Sequence, residues 1–162
     1  MIRRAAVSDA AAIARLHVAS WRTTYAGIVD AAYLDSLNET ARVPGWEEQL
    51  KNPALDCLVA EDAGKLLGFS VGGPIREPLA GYGAELYAIY LLREAQGRGV
   101  GRALFGETVA ALRARGFQGV AAWVMRRNPA RVFYERMGGV PAGSTEMLLA
   151  GETFKLAAYG WA

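Results

Sequence analysis

The chain has 162 residues, of which 52% are hydrophobic and 21% charged, and this size and composition predict a single domain over residues 1–162. The formal net charge is only +2, and the charges are spread along the sequence, which argues against a nucleic-acid-binding protein. Cys57 is the only cysteine, which excludes an intrachain disulfide and a cysteine metal cluster. No apolar run approaches the roughly 20 residues that a membrane helix needs. We therefore expect a cytoplasmic protein with no metal, no nucleic-acid partner and no membrane segment.

The first third of the chain has the apolar spacing of helices. Residues 2–7 predict a short strand, after which Ser8 or Asp9 can cap a helix that runs to about Ser20. Two more helices are expected before the segment "CLVAED". The single histidine, His17, lies on the first helix, where we expect it to pack or to lie at the surface rather than to bind a ligand.

The periodicity then changes to that of strands. The segments "CLVAED" and "LLGFSVGGPI" predict a hairpin with a turn at "DAGK". The next segment, "REPLAGYG", contains one proline and two glycines and predicts a loop. The segment "AELYAIYLL", residues 84–92, is almost wholly apolar, which is typical of a central strand covered on both faces.

The last third alternates helices and strands. The segment "GRALFGETVAALRARG" predicts a helix that Gly116 ends, and "GVAAWVM" predicts a second buried strand. The segment "NPARVFYERMG" predicts a short helix with Asn128 as its cap, Pro129 in its first turn and Gly138 at its end. The tail "STEMLLAGETFKLAAYGW" predicts a last hairpin. This order of elements indicates one α/β unit.

Three glycines lie between the central strand and the helix that follows it. Gly97, Gly99 and Gly101 would let backbone N–H groups and a helix N-terminus converge on one anion, to which Arg98 and Arg102 would add charge. The Walker pattern fails because its lysine is absent, and the dinucleotide pattern fails because its sixth position is Arg102. An anion cradle and a turn without a ligand both remain open on these residues alone.

Two segments together resemble a known family. The segment "QGRGVG", after the strand "ELYAIYLL", resembles the pyrophosphate-binding motif of the GNAT acyltransferase superfamily, written Gln/Arg-x-x-Gly-x-Gly/Ala. The segment "WVMRRNPARVFYERMGG" is similar to that superfamily's second motif, in which an asparagine precedes a short helix bearing Phe-Tyr-Glu. The resemblance spans nearly the whole chain. It implies an α/β (α+β) fold with a mixed, largely antiparallel central sheet, flanked by helices and splayed at the cofactor site.

The resemblance also implies a function. The protein would move an acetyl group from acetyl-CoA, with no metal, to a primary amine of a small molecule or peptide in a ternary complex, and a homodimer stays open. Tyr134 corresponds to the tyrosine that protonates the departing thiolate, and Glu85 to a glutamate that relays the proton of the amine through water. The residues implied in contacts with acetyl-CoA are Leu91, Leu92, Gln96, Gly97, Arg98, Gly99, Val100, Gly101, Arg102, Asn128 and Arg131. We expect Trp21, Tyr25 and Tyr87 to border the acceptor amine.

Each assignment has a structural alternative. Tyr134 could simply pack in the core, and Glu85 could be a polar residue at a strand edge. The aromatic residues near the N-terminus could all be core residues: Trp21, Tyr25, Tyr33 and Trp46. Two functional alternatives remain as well, namely a sensor that binds acyl-CoA without turnover and a structural domain with an empty glycine turn.

Overall fold

The computed structural model describes all 162 residues and contains one seven-stranded sheet. The strands are β1 (Ile2–Arg4), β2 (Asp56–Asp62), β3 (Lys65–Leu79), β4 (Tyr82–Leu91), β5 (Val120–Met125), β6 (Val140–Leu149) and β7 (Glu152–Trp161). The helices are α1 (Ala10–Thr24), α2 (Ala31–Ser36), α3 (Glu39–Lys51), α4 (Val100–Ala114) and α5 (Arg131–Arg136). The strand order is β1-β2-β3-β4-β5-β7-β6, and every neighbouring pair is antiparallel except β4 and β5. The predicted fold class is therefore confirmed.

The sheet is splayed between its two central strands. β4 and β5 pair only where Ala84 lies opposite Val120 and Glu85 opposite Ala121. Beyond these positions β4 keeps β3 on one side, up to Leu91, but has no strand on the other. Residues 86–91 of β4 therefore present a free backbone edge to the space between the two strands.

Helices cover both faces of the sheet. On one face, Ile13 of α1 and Trp46 of α3 pack against Phe69 of β3 in a buried apolar cluster. On the other face lies α4, whose Thr108 hydroxyl is 2.6 Å from that of Ser70 of β3 in a fully buried contact. Residues 67–73 of β3 are therefore covered on both sides, which explains why this part of the strand has no charged residue.

A third cluster spans the splay. It brings Val18 of α1, and Tyr25 directly after α1, against Met125 of β5 and Phe154 of β7. The end of α1 thus packs on β5 and β7, while its beginning packs on β2 and β3. None of the helices is long and apolar enough to cross a lipid bilayer.

Three details differ from the predicted elements. The predicted loop "REPLAGYG" is wrong, because β3 continues to Leu79 and a tight turn at Ala80 and Gly81 leads directly into β4. Helix α1 runs to Thr24, beyond its predicted end near Ser20. Helix α5 begins later than predicted, at Arg131.

Candidate active site

The diverging ends of β4 and β5 form the walls of a cavity of about 1030 Å³. Its lining comes from the end of α1, the free edge of β4, the glycine turn, β5, α5 and the hairpin of β6 and β7. This volume is at the upper end of the range found for small-molecule and cofactor sites.

The glycine turn occupies one end of this cavity. Gly97 and Gly99 have φ angles of 72° and 81°, a region that favours glycine, and Gly99 is the residue immediately before α4. The first backbone N–H groups of α4 have no partner within the helix, and they carry the positive end of its dipole. Arg93 and Arg102 lie in the wall beside the turn. This end of the cavity can therefore bind a phosphate.

Gly101 lies close to the side chains of Leu91 and Phe133. A Cβ atom added there would lie 3.4 Å from Leu91 Cδ1 and 3.4 Å from Phe133 Cε2. The third glycine thus permits α4 to pack tightly against the end of β4 and against α5.

Tyr134 of α5 is buried in the wall of the cavity. Its ring lies 5.7 Å from that of Phe133 and 5.8 Å from that of Trp161, which fixes its position. Its hydroxyl has no hydrogen-bond partner within the protein, and burial raises the pKa of this phenol above its ordinary value. The hydroxyl is therefore protonated at neutral pH and free to donate.

Two aromatic residues at the end of α1 line the cavity. Trp21 packs on Tyr25 with 4.5 Å between the ring centres, and both are in the wall. The Tyr25 hydroxyl accepts a hydrogen bond of 3.3 Å from Asn128 Nδ2, while Asn128 Oδ1 accepts the N–H of Ala130. Asn128 therefore fastens the start of α5 to the end of α1.

Glu85 lies behind the wall rather than in it. Its side chain is 2% exposed and does not line the cavity. Oε1 accepts from Arg76 Nη2 at 2.7 Å, and Oε2 accepts from Arg76 Nε at 3.1 Å. The Arg76 guanidinium in turn lies 4.1 Å above the ring centre of Tyr87, and both of these residues line the cavity.

The structure brings most of the implied cofactor residues to one cavity: Leu91, Gln96, Gly97, Gly99, Gly101, Arg102 and Asn128. Four of them lie outside its lining: Leu92, Arg98, Val100 and Arg131. The Leu92 N–H donates to the Leu67 carbonyl, and the Arg131 side chain donates to the Tyr159 hydroxyl and the Arg126 carbonyl. Of the aromatic residues left open, Tyr33 and Trp46 lie away from the cavity.

Tyr90 and Arg76 are among the wall residues that were not predicted from the sequence. Tyr90 belongs to the predicted central strand, and its burial was expected, but nothing in the pattern separates it from a core residue. Arg76 lies in the segment that was wrongly predicted to be a loop. An arginine beside a glutamate of the next strand becomes visible only once the pairing of β3 with β4 is known.

Neither a cysteine nor a metal group belongs to this cavity. Cys57 is buried elsewhere, and burial raises the pKa of its thiol to about 11. No group of three or more His, Cys, Asp or Glu side chains is arranged to hold a metal ion.

Comparison with known proteins agrees with this fold. A profile of the acetyltransferase (GNAT) family matches residues 12–139, and the chain belongs to this family. It is 39% identical, over 99% of its length and 91% of the other protein, to the uncharacterised N-acetyltransferase YuaI of Bacillus subtilis (strain 168).

Solved structures show the same fold. The PaiA N-acetyltransferase of Thermoplasma acidophilum, in complex with coenzyme A, matches with a TM-score of 0.74 and 22% identity over 97% of this chain and 96% of that one. The acetyltransferase YncA of Salmonella typhimurium, with its cofactor acetyl-CoA, matches with a TM-score of 0.72 and 20% identity over 99% and 92%.

Proposed function

We propose that the protein is an N-acetyltransferase that moves the acetyl group of acetyl-CoA to a primary amine. The observation that carries the proposal is that one cavity joins the N-terminus of α4, the free edge of β4 and the hydroxyl of Tyr134. The family and the coenzyme complexes of two proteins with this fold support it.

The glycine turn would bind the pyrophosphate of acetyl-CoA. The donors are the backbone N–H groups from Arg98 to Arg102, with the Arg93 and Arg102 side chains beside them. The thioester arm of the cofactor carries amide groups, and the free edge of β4 near Leu91 offers N–H and C=O partners in the manner of an added strand. Such an arm would run from the turn toward Tyr134.

In the transfer step, the neutral amine attacks the carbonyl carbon of the thioester, and a C–N bond forms while the C–S bond breaks. The departing thiolate takes the proton of the Tyr134 hydroxyl, and the amine loses its own proton to solvent or a base. The raised pKa keeps the Tyr134 hydroxyl protonated at neutral pH, so that a proton is available as negative charge develops on the sulfur. Tyr134 regains a proton from solvent after the transfer. Transfer is direct, because Cys57 lies outside the cavity and its thiol is protonated.

The amine must lose a proton before it attacks. A lysine-like amine with a pKa near 10.4 is neutral in only about one molecule in 2,500 at pH 7, which corresponds to roughly 4 to 5 kcal/mol. The relay role of Glu85 stays a prediction: both of its oxygens are bonded to Arg76, so a water would have to link it with the cavity.

The acceptor amine would enter beside the end of α1 and the start of β4. Trp21, Tyr25 and Tyr87 line this part of the cavity and would border it. One buried thiol and no disulfide fit a reducing compartment, and we propose the cytoplasm as the place of the reaction.

The proposal is tested by following free CoA, as released thiol, during incubation of the protein with acetyl-CoA and a panel of primary amines. We expect release that depends on the acceptor, with a mass increase of one acetyl group on the amine. Binding of CoA without release for any amine would favour the sensor. No binding of CoA would favour a structural domain.

A further inference from the structure

Arg76 is the charged side chain that lines the cavity at the start of β4. The other arginines of the wall are Arg93 and Arg102, beside the glycine turn, and Arg136 of α5. Arg76 is bonded to Glu85, six residues before Leu91 on β4, which at about 3.4 Å per residue is about 20 Å along the strand. This distance separates Arg76 from the end of β4 that meets the proposed cofactor cradle.

The guanidinium of Arg76 is held in one orientation. Glu85 accepts from Nε and Nη2 on one edge, and the ring of Tyr87 supports one face from 4.1 Å. Tyr87 is itself fixed, because its hydroxyl donates to the Pro74 carbonyl. The Arg76 side chain, which is 61% exposed, is thus held by hydrogen bonds to the Glu85 carboxylate, whose side chain is 2% exposed.

One edge of this guanidinium remains free. An arginine has five N–H donors, of which two are directed at Glu85. Nη1 has no partner in the protein, and the second hydrogen of Nη2 lies beside it. One hydrogen from each of these nitrogens forms the parallel pair that binds a carboxylate with two hydrogen bonds.

The other residues of the cavity wall favour a negatively charged group on the acceptor over a positively charged one. No aspartate or glutamate lines the cavity. A cationic group on the acceptor, apart from the amine that must react in neutral form, would find no partner there. An anionic group would find the free edge of Arg76.

We propose that Arg76 binds a carboxylate of the acceptor, and that the acceptor is therefore an amino acid or a related small amine that bears a carboxylate. This inference rests on the proposed acetyl transfer and names the substrate class of the same cavity. Glu85 acts as a positioning residue, since it orients the guanidinium from behind.

The test measures binding, so that it does not depend on turnover. The CoA-bound protein is titrated calorimetrically with N-acetylated amino acids and, as partners matched in shape, with the corresponding N-acetylated amino amides. We expect at least one acid to bind on the order of 10-fold to 100-fold more tightly than its amide, as the loss of charge-assisted hydrogen bonds predicts. Equal affinity for every acid and amide pair overturns the proposal.

The matched variant is Arg76→Lys, which keeps the charge but loses the fork. It should erase most of the preference for acids, while the affinity for CoA stays within about 2-fold. The control is Arg15→Lys, at an exposed arginine outside the cavity, which should change neither the preference nor the affinity.

Should Arg76→Lys fail to fold because Glu85 is left poorly paired, the double variant Arg76→Met with Glu85→Gln removes both charges. An unchanged preference for acids in either folded variant overturns the role of Arg76. A preference that depends on Arg76, in a protein that releases no CoA, would leave the site intact and refute only the transfer.

Discussion

The hydroxyl of Tyr134 is the atom on which the proposed catalytic role of this residue depends. Its ring is fixed by aromatic neighbours, yet its oxygen has no partner in the protein. Because Tyr134 lines the cavity, its hydroxyl can donate a hydrogen bond to water or to a ligand there, which a phenylalanine at this position could not do.

We expect Tyr134→Phe to lower kcat, with little change in the affinity for acetyl-CoA, because the variant removes only the donor to the thiolate. General acid–base groups contribute about 10² to 10⁴ in rate, and a thiolate is a good leaving group, so the loss should lie near about 10². The measurement is kcat across a pH profile, under conditions where chemistry limits the rate. Tyr33→Phe is the matched control, since Tyr33 lies outside the cavity. Wild-type turnover by a folded Tyr134→Phe protein would show that the residue only packs.

His17 is a second side chain whose polar atom lacks a partner in the protein, and it packs against Tyr90, a residue of the cavity wall. Its ring lies within 5.5 Å of the ring centres of Trp46 and Tyr90. Its Nδ1 atom is buried without a hydrogen-bond partner. Burial lowers the pKa of His17 to about 4, so the folded protein holds the neutral form.

This shift predicts how stability depends on pH. The unfolded chain takes up a proton at a pKa near 6.5, whereas the folded chain does so only near 4. The contribution of His17 is therefore fully present above pH 6.5 and is lost as the pH falls from 6.5 to 4, with a loss of about 2 kcal/mol at pH 5. The drop in unfolding free energy between pH 7 and pH 5, measured with denaturant, should be smaller by this amount in His17→Phe. An equal drop in both proteins would contradict the burial of a neutral imidazole.

Single residues of the site differ in how far the sequence could predict them. Tyr134 and Asn128 were found because they lie in a motif with fixed spacing, and both reach the cavity. His17 packs against other side chains, which was one of the two expected positions, but its aromatic surroundings come from α3 and β3, which the sequence does not connect with α1. The bond between Arg76 and Glu85 depends on the register of two strands, which no local pattern states.

At the scale of elements, the N-terminus of α4 and the glycine turn form one unit. Gly99 has a φ of 81°, and a Cβ atom there would meet nothing within 4 Å. A side chain at this position would therefore disturb the backbone conformation and the space in front of the helix, without clashing with the protein.

We expect Gly99→Val to weaken CoA binding by at least about 10-fold, because a β-branched residue resists positive φ and would stand where the pyrophosphate approaches. Backbone strain alone should cost about 1 to 3 kcal/mol of stability. Gly116→Val supplies the control, since Gly116 has a φ of 91°, equally open space and a place at the opposite end of the same helix. Calorimetric titration and thermal unfolding of both variants should show similar losses of stability but a loss of affinity only in Gly99→Val. Equal affinities in the two variants would refute the anion cradle.

The elements themselves were mostly predictable, with one instructive exception. The segment "REPLAGYG" was expected to be a loop because proline and glycine disfavour strands. In the structure Pro78 lies in β3 within a stretch where the pairing of β3 with β4 shifts register, between Pro74 and Leu79. A proline is tolerated where the ladder is irregular and needs no N–H, and the sequence does not reveal where such an irregularity lies.

At the scale of the whole molecule, the sheet consists of two antiparallel halves joined by a short parallel pairing. Strands β1 to β4 form one half, and β5, β7 and β6 form the other. Two residue pairs of β4 and β5 join them, and the cluster around Tyr25 and Met125 adds a second contact across the splay. A ligand that lies between β4 and α5 would bind groups from both halves at once.

This arrangement predicts that CoA stabilises the whole molecule, independent of any turnover. A ligand that binds only the folded state at 100 times its Kd adds about 2.7 kcal/mol to the unfolding free energy. For a domain of this size about 2 to 4 °C of Tm accompanies each kcal/mol, so the Tm should rise by about 5 to 10 °C. Because free backbone groups of β4 would gain partners, hydrogen exchange within residues 86–91 should slow more than within the β2–β3 hairpin, which is paired in either state. Gly99→Val at the same CoA concentration should show a much smaller rise in Tm, since its cradle is disturbed while its splay is intact. A rise in Tm with unchanged exchange along β4 would place CoA elsewhere on the molecule, and the proposed path of the cofactor between the two halves would be wrong.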